Sequence, residues 1–260
     1  MPAMQLGIAL SSLGMPLKHA LPLCAHWQLL FVELDLRRQF QPADFGPSAI
    51  RQFRKLLADY NVRVGQVSYP TRRGFGESAD LEARCAGIRA AIKFAAALNC
   101  RQISTQIGPL PAEYTTGGGR LLVDVLTDLG RFADHLGVQI CAQSVGQPVA
   151  DWQQLLRNIP EGLLAIDFCP AQLLAEGIDP VEWLASVSTA IRLVRLQDAT
   201  RGFGRGRGQL LPLGTGNVPW PELLGTLQEH NYRGGFMLDL SGSTDPEPAL
   251  EQAVTYIRAL

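Results

Sequence analysis

Residues 163–198, LLAIDFCPAQLLAEGIDPVEWLASVSTAIRLVRLQD, contain two apolar runs of strand length separated by a segment of helical character. The runs, Leu163–Phe168 and Ala190–Gln197, are short and apolar, as buried strands are. Between them, Asp179 precedes Pro180. This pair predicts a helix that begins at the proline, because aspartate is a common N-cap and proline is favoured in the first helical turn. The stretch therefore predicts a strand, a helix and a second strand.

The same unit recurs along the rest of the chain. Further runs of strand length are Met4–Leu10, Leu29–Leu36, Val62–Tyr69, Arg101–Ile107, Val138–Gln143 and Gly235–Leu240. Helical patterns lie between them, and the clearest extends from Leu81 to Leu98, with an apolar stripe opposite charged residues. Proline-containing openings also predict helices over Ile50–Tyr60 and Ala249–Ala259.

The order of these elements favours one fold class. Eight strands alternate with helices, and no Ser/Gly linker or low-complexity tract divides the chain. A doubly wound sheet fits less well, because no G-x-G-x-x-G motif follows the first strand. We therefore predict an α/β protein, a single-domain (β/α)8 TIM barrel formed by residues 1–260, with its site residues at the carboxyl ends of the strands.

The composition limits the classes of partner. Of 260 residues, 47% are hydrophobic and 18% are charged, and 23 Lys and Arg oppose 24 Asp and Glu for a net charge of −1. This balance is typical of globular proteins and provides no general attraction to nucleic acid. The five cysteines form no C-x-x-C pair, and the N-terminal stretch lacks the basic region of a signal sequence. We expect a cytoplasmic protein that binds neither nucleic acid nor membrane.

Motifs at most of the predicted strands carry a family resemblance. They are LLFVELDL (29–36), an R-x-x-x-I-x-x-A-I-K-F-A-A-A-L-N segment (84–99), FADHLGVQICAQ (132–143), GLLAIDFCPAQLLAEGIDP (162–180), IRLVRLQDA (191–199) and YRGGFMLDL (232–240). In order and spacing the chain resembles the xylose isomerase-like barrels, a superfamily that includes sugar epimerases, hydroxypyruvate isomerase, inosose dehydratase and endonuclease four. The resemblance spans nearly the whole chain.

The resemblance also implies where a site should lie. In the sugar-epimerase branch, a divalent metal is held by a Glu of strand five, an Asp of strand six, a His of strand seven and a Glu of strand eight, and the two glutamates also transfer protons. The matching residues here are Gln143, Asp167, Arg195 and Asp239. A substrate-binding histidine of the family falls on Pro170, whereas Arg201 matches a substrate-binding arginine.

These substitutions predict a site without the family's metal, and we expect no cofactor. Arg195 cannot coordinate a cation, because a guanidinium stays protonated and has donors only. We expect Arg195 to pair with Asp167 or Asp239 and to supply the positive charge that a metal would bring. An amide cannot act as a base, so Gln143 is a substrate-binding candidate together with Arg195. The catalytic candidates are Asp239, Asp167 and Glu33.

The loop RGFGRGRG (201–208) supplies three further substrate-binding candidates, Arg201, Arg205 and Arg207. Arginine matches phosphate and carboxylate groups bidentately, and TIM barrels often bind phosphate on the loops after strands seven and eight. The amides of Gly214–Gly216 would add donors. The alternative is a solvated loop in which glycine provides the turns.

Two functions remain open. The first is an isomerase or epimerase-like enzyme acting on a small anionic or polyhydroxylated carbonyl compound, and the resemblance favours it. The second is a catalytically inactive or repurposed barrel that binds a sugar, a sugar phosphate, a sugar acid or a protein partner, and the altered site favours it.

The roles of two further acids are open as well. Asp35 and Asp198 are either acid–base groups or hydrogen-bond acceptors for neighbouring loops. A homo-oligomer is also open.

Overall fold

The computed structural model of the protein describes residues 4–201 and 208–260. The strands are β1 (Leu6–Ala9), β2 (Phe31–Asp35), β3 (Arg63–Ser68), β4 (Gln102–Thr105), β5 (Gln139–Gln143), β6 (Leu164–Phe168), β7 (Ile191–Leu196), β8 (Asp198–Ala199), β9 (Leu210–Leu211) and β10 (Gly235–Leu238). The α-helices are α1 (Leu10–Leu13), α2 (Leu17–His26), α3 (Pro47–Asp59), α4 (Leu81–Ala97), α5 (Gly117–His135), α6 (Val149–Asn158), α7 (Pro170–Ala175), α8 (Pro180–Val187), α9 (Trp220–Glu229) and α10 (Pro246–Ala259).

Eight parallel strands close into a barrel in the order β1-β10-β7-β6-β5-β4-β3-β2. Helices connect consecutive strands, so the prediction of a single-domain (β/α)8 TIM barrel is confirmed. The short strands β8 and β9 form a separate antiparallel pair after β7, which the sequence pattern did not predict. Among the described residues, no helix combines the length and the apolar character needed to cross a membrane.

Local sequence signals explain where the elements begin. Helix α8 begins at Pro180, and Oδ1 of Asp179 accepts hydrogen bonds from the amides of Val181 at 2.8 Å and Glu182 at 3.4 Å. This cap satisfies amides that have no partner within the helix. The apolar stripe of α4 buries Ile88 and Ile92. Each observed strand lies within its predicted range and is shorter than that range by at most two residues at either end.

A small apolar layer closes the lower part of the barrel lumen. It consists of Ala9, Phe31, Leu193 and Met237, which form a buried cluster separate from the core between the helices and the strands. Glycines surround the phenyl ring: a Cβ on Gly7, Gly65 or Gly235 would lie 2.3, 2.4 or 2.5 Å from a ring carbon of Phe31. These distances are shorter than any real van der Waals contact, so the ring occupies space that only glycine leaves free. The site lies above this layer.

A candidate active site in the barrel lumen

Polar side chains fill the lumen directly above the small apolar layer of Ala9, Phe31, Leu193 and Met237. Because side chains alternate along a strand, Glu33 and Arg195 face the same interior as Phe31 and Leu193, two residues before them. Gln66 of β3, Ser104 of β4 and Asp167 of β6 complete this group, which we call the lumen cluster: Glu33, Gln66, Ser104, Asp167 and Arg195. All five residues are buried.

Two irregularities in strand register adjoin the lumen cluster. The pairing of β2 with β3 shifts between Val32 and Glu33, which places Glu33 opposite Gln66. The pairing of β6 with β7 shifts between Ile166 and Asp167. Such bulges reorient side chains and are common beside active sites. Here each one lies beside a carboxylate of the lumen cluster.

Arg195 holds the centre of the lumen cluster. Its Nε and Nη2 donate to Oδ2 of Asp167 at 2.9 and 2.7 Å. Its Nη2 and Nη1 donate to Oε2 and Oε1 of Glu33 at 2.5 and 3.2 Å. Two carboxylates therefore bind one planar guanidinium, a geometry that lysine cannot reproduce. The pairing with Asp167 agrees with the sequence-based expectation, and Glu33 provides the second contact.

Neutral side chains also donate hydrogen bonds to the two acids. Gln66 Nε2 donates to Oε2 of Glu33 at 2.9 Å and to Oδ2 of Asp167 at 3.0 Å, and Ser104 Oγ donates to the same Oδ2 at 2.6 Å. Asp167 Oδ1 and Gln66 Oε1 are buried without a hydrogen-bond partner among the described residues. Neither Gln66 nor Ser104 was predicted from the sequence. The available signal was a glutamine within the apolar run Val62–Tyr69.

The charges of the lumen cluster are unequal, since two carboxylates face one guanidinium. Burial raises the pKa of Glu33, although the charge of Arg195 opposes the shift. Burial alone would lower the pKa of Arg195, but the carboxylates of Asp167 and Glu33 raise it well above its usual value. The guanidinium therefore stays charged, and Glu33 holds a proton more readily than an exposed glutamate.

Asp239 and Gln143 lie at the mouth of the barrel, nearer to solvent. The Asp239 side chain is 20% exposed, and its Oδ2 lies 3.9 Å from Nη1 of Arg195. Its Oδ1 accepts a hydrogen bond from the amide of Ser241 at 2.9 Å. Gln143 is half-buried, and its Nε2 donates to Oγ of Ser104 at 3.1 Å. Both residues therefore adjoin the lumen cluster and reach its open side.

The lumen residues do not suit a divalent cation. Such an ion needs oxygen or imidazole ligands, whereas the guanidinium of Arg195 lies between the two carboxylates and has donors only. Within residues 4–201 and 208–260, no group of three His, Cys, Asp or Glu side chains is arranged to hold a metal ion. A cation beside Asp167 would also meet the positive charge of Arg195 at close range.

Of the arginines in the loop 201–208, the structure describes Arg201, which makes no contact with the lumen cluster. Arg201 is exposed, and its Nη2 donates to the carbonyl of Gly177 at 3.1 Å, two residues beyond the end of α7. Arg205 and Arg207 lie outside the described residues. The structure thus brings Glu33, Asp167, Arg195, Gln143 and Asp239 together and leaves Arg201 on a neighbouring loop.

Asp35 and Asp198 accept hydrogen bonds from loop amides. Asp35 Oδ1 accepts from the amides of Arg37 at 2.8 Å and Arg38 at 2.9 Å. Asp198 accepts from the amides of Ala199 and Gly214 at 3.0 Å and of Val218 at 2.9 Å. Of the two roles left open by the sequence, the contacts fit that of loop acceptor. The amide of Gly214 is bound by Asp198, so it is not turned toward an anion.

The comparisons with known proteins agree with this architecture. The family model described as a xylose isomerase-like TIM barrel matches residues 22–260. The chain belongs to this family. No curated protein matches the sequence of this xylose isomerase-like barrel.

Solved structures similar to this xylose isomerase-like barrel include a xylose isomerase domain protein from Planctomyces limnophilus, with 22% identity, a TM-score of 0.87 and coverage of 99% of this chain and 97% of that one. The IOLI protein with a binding zinc atom has 15% identity, a TM-score of 0.79 and coverage of 98% and 96%. A D-psicose 3-epimerase in the presence of D-fructose has 14% identity, a TM-score of 0.74 and coverage of 96% and 98%. At these identities the likeness establishes a shared fold.

Proposed function

We propose that this barrel binds a sugar or a similar polyhydroxylated carbonyl compound at its carboxyl-end mouth, and that it does so without a metal ion. The observation that carries the proposal is the position of Arg195, whose guanidinium is bound by Glu33 and Asp167 in the lumen. The guanidinium supplies positive charge at this place in the lumen and leaves no room there for a metal ion. Family membership and fold support a sugar-like ligand.

The charges at the mouth favour a neutral ligand over an anionic one. The guanidinium of Arg195 is already bound by two carboxylates, and Asp239 adds a third acid 3.9 Å away. An anion placed here would meet more negative than positive charge, so Arg195 contributes little to anion binding. Hydroxyl groups, by contrast, both donate and accept, and they suit the amide of Gln143 and the carboxylate of Asp239.

Any proton transfer at this mouth falls to Asp239. It is more exposed than Glu33 or Asp167, and those two acids are engaged in holding Arg195. Gln143 cannot accept a proton, so it provides no second base on the other face of a substrate carbon. We propose single-base isomerisation, with Asp239 as the catalytic residue and Glu33 and Asp167 as positioning residues.

A catalytically inactive barrel that only binds its ligand is the second candidate. Gln143 and Pro170 stand where the resemblance implies a base and a substrate-binding histidine, and both replacements remove chemistry while leaving the mouth in place. The two candidates differ in whether Asp239 removes a carbon-bound proton.

Proton exchange separates them without knowledge of the product. The purified protein is incubated with ketoses in D2O and EDTA, and NMR follows loss of carbon-bound protons. The enzyme hypothesis predicts exchange that persists in EDTA and disappears in Asp239→Asn. Ligand-induced stabilisation without exchange in any ketose supports the inactive barrel. Neither stabilisation nor exchange with any sugar or polyol overturns the proposal of a sugar-binding mouth, and exchange that requires added Mn²⁺ overturns its metal-free part.

A further inference from the structure

A second cavity lies at the opposite, amino-terminal end of the barrel. It has a volume of about 300 Å³ and is lined by residues that precede or begin the strands. Its polar lining consists of Gln5, Arg63, Asn99, Arg101, Gln102 and Arg233. The proposed mouth site uses none of these residues. Three arginines, all exposed, and three residues with amide side chains thus line one small space.

The positive charge of this cavity is not balanced by its surroundings. Its described lining contains no Asp or Glu. Among the described residues, no carboxylate lies within 4.0 Å of the charged nitrogens of Arg63, Arg101 or Arg233. Asp134 lines an adjoining cavity, which Arg101 also lines. In a chain of net charge −1, this is a local concentration of like charges that repel one another.

Neighbouring side chains hold one of the three arginines in position. Nη2 of Arg63 donates to Oε1 of Gln5 at 3.2 Å, and the Arg63 guanidinium carbon lies 5.5 Å from the centroid of the Phe31 ring. Stacking and hydrogen bonding reduce the freedom that a ligand would otherwise have to remove. Phe31 and Leu193 also line the cavity and close the lumen above it, so it does not communicate with the lumen cluster.

We propose that this amino-end cavity binds the phosphate group of a small molecule. Guanidinium forks match the geometry of phosphate oxygens, and the amides of Asn99 and Gln102 supply further donors. A volume of about 300 Å³ is at the lower end of the range for small-molecule sites. The size therefore favours a phosphate ion or a compact phosphate ester over a nucleic-acid backbone. A bound dianion would also relieve the repulsion among the arginines.

The test compares Arg101→Gln/Arg233→Gln with a matched double variant, Arg54→Gln/Arg157→Gln, whose arginines are exposed on helices α3 and α6. Thermal unfolding is followed at constant ionic strength as chloride is replaced by inorganic phosphate, and separately with glycerol 3-phosphate against glycerol. We expect the melting temperature of the wild-type and control proteins to rise with phosphate concentration. The cavity variant should need at least a tenfold higher phosphate concentration for the same rise.

Each outcome of this test decides the proposal. If both inorganic phosphate and glycerol 3-phosphate raise the melting temperature of the wild type more than that of the cavity variant, the cavity is a phosphate-ester site. If only inorganic phosphate does so, it is a site for free phosphate. An equal response of the two double variants would show general salt stabilisation and overturn the proposal. If the cavity variant does not fold, phenylglyoxal labelling of the wild type replaces it. Phosphate should then protect Arg101 and Arg233 but not Arg54, and equal labelling with and without phosphate contradicts the site.

Discussion

Arg195 and Glu33 meet inside the barrel lumen from strands β7 and β2, with Nη2 2.5 Å from Oε2 and Nη1 3.2 Å from Oε1. Asp167 binds the same guanidinium from β6. These three charges are buried, so each depends on the others for compensation. The stability of the barrel and the chemistry of its mouth are therefore linked through Arg195.

Removing the guanidinium should destabilise the protein strongly. In Arg195→Leu, Glu33 and Asp167 would remain buried without their partner, and we expect a loss of about 3–5 kcal/mol in the free energy of unfolding. Urea denaturation measures it. The exposed Arg157→Leu is the control and should change stability by less than about 0.5 kcal/mol. Similar losses in the two variants would mean that Arg195 does not compensate the buried acids.

The raised pKa of Glu33 predicts a pH dependence of stability. Between the pKa of an unfolded glutamate, about 4.3, and the raised folded value, the folded state binds more protons than the unfolded state. The stabilisation from this group is complete below that window and is lost as the pH rises through it. Relative to Glu33→Gln, which does not titrate, the wild type should lose up to about 1.4 kcal/mol per pH unit there. Parallel stability curves for the two proteins would contradict the shift.

The fit of Phe31 among glycines predicts a coupled pair of substitutions. A Cβ in Gly65→Ala would lie 2.4 Å from the Phe31 ring, and we expect this overpacking to cost about 1–3 kcal/mol. Phe31→Leu should relieve part of the clash, so the double variant loses less than the two single losses added together. Gly225→Ala in α9, with nothing within 4 Å of the new Cβ, should instead stabilise by about 0.5–1 kcal/mol. Strict additivity at Gly65 and Phe31 would argue against this packing.

Asp198 should act on its loop and not on chemistry at the mouth. Asp198→Ala would leave the amides of Gly214 and Val218 without their acceptor, and we expect a loss of about 1–3 kcal/mol. Amide hydrogen exchange at Gly214 and Val218 should accelerate. Asp198→Asn, which keeps one acceptor oxygen, should lose less. Unchanged exchange in Asp198→Ala would remove the basis for this role.

The sequence predicted the barrel because the strand and helix periods alternate clearly from Met4 to Leu240. It also predicted that Arg195 pairs with Asp167 or Asp239, since motif positions at neighbouring strand ends become neighbours in space, and the hydrogen bonds are made to Asp167. It missed Gln66 and Ser104, because a polar residue in an apolar strand gives no sign of the face on which it lies. It also missed the β8–β9 pair, because strands of two residues carry no periodic signal.

The contacts of loop residues could not be predicted from the sequence for a different reason. Arg201 donates to the carbonyl of Gly177, and Asp198 accepts from amides that follow it by up to 20 residues. Such contacts depend on the path of the backbone between them, which side-chain type does not determine. The sequence therefore left Asp198 open between two roles, whereas it identified Arg195 from its place in a strand motif.

The replacement of a metal by Arg195 is tested most directly by Mn²⁺ titration calorimetry of the wild type and of Gln143→Glu/Arg195→His. The double variant restores two of the ligands that the family resemblance implies, beside the retained Asp167. We expect no specific Mn²⁺ binding by the wild type and binding of one ion by the variant, abolished by adding Asp167→Asn. Stoichiometric Mn²⁺ binding by the wild type that Asp167→Asn abolishes would contradict the account.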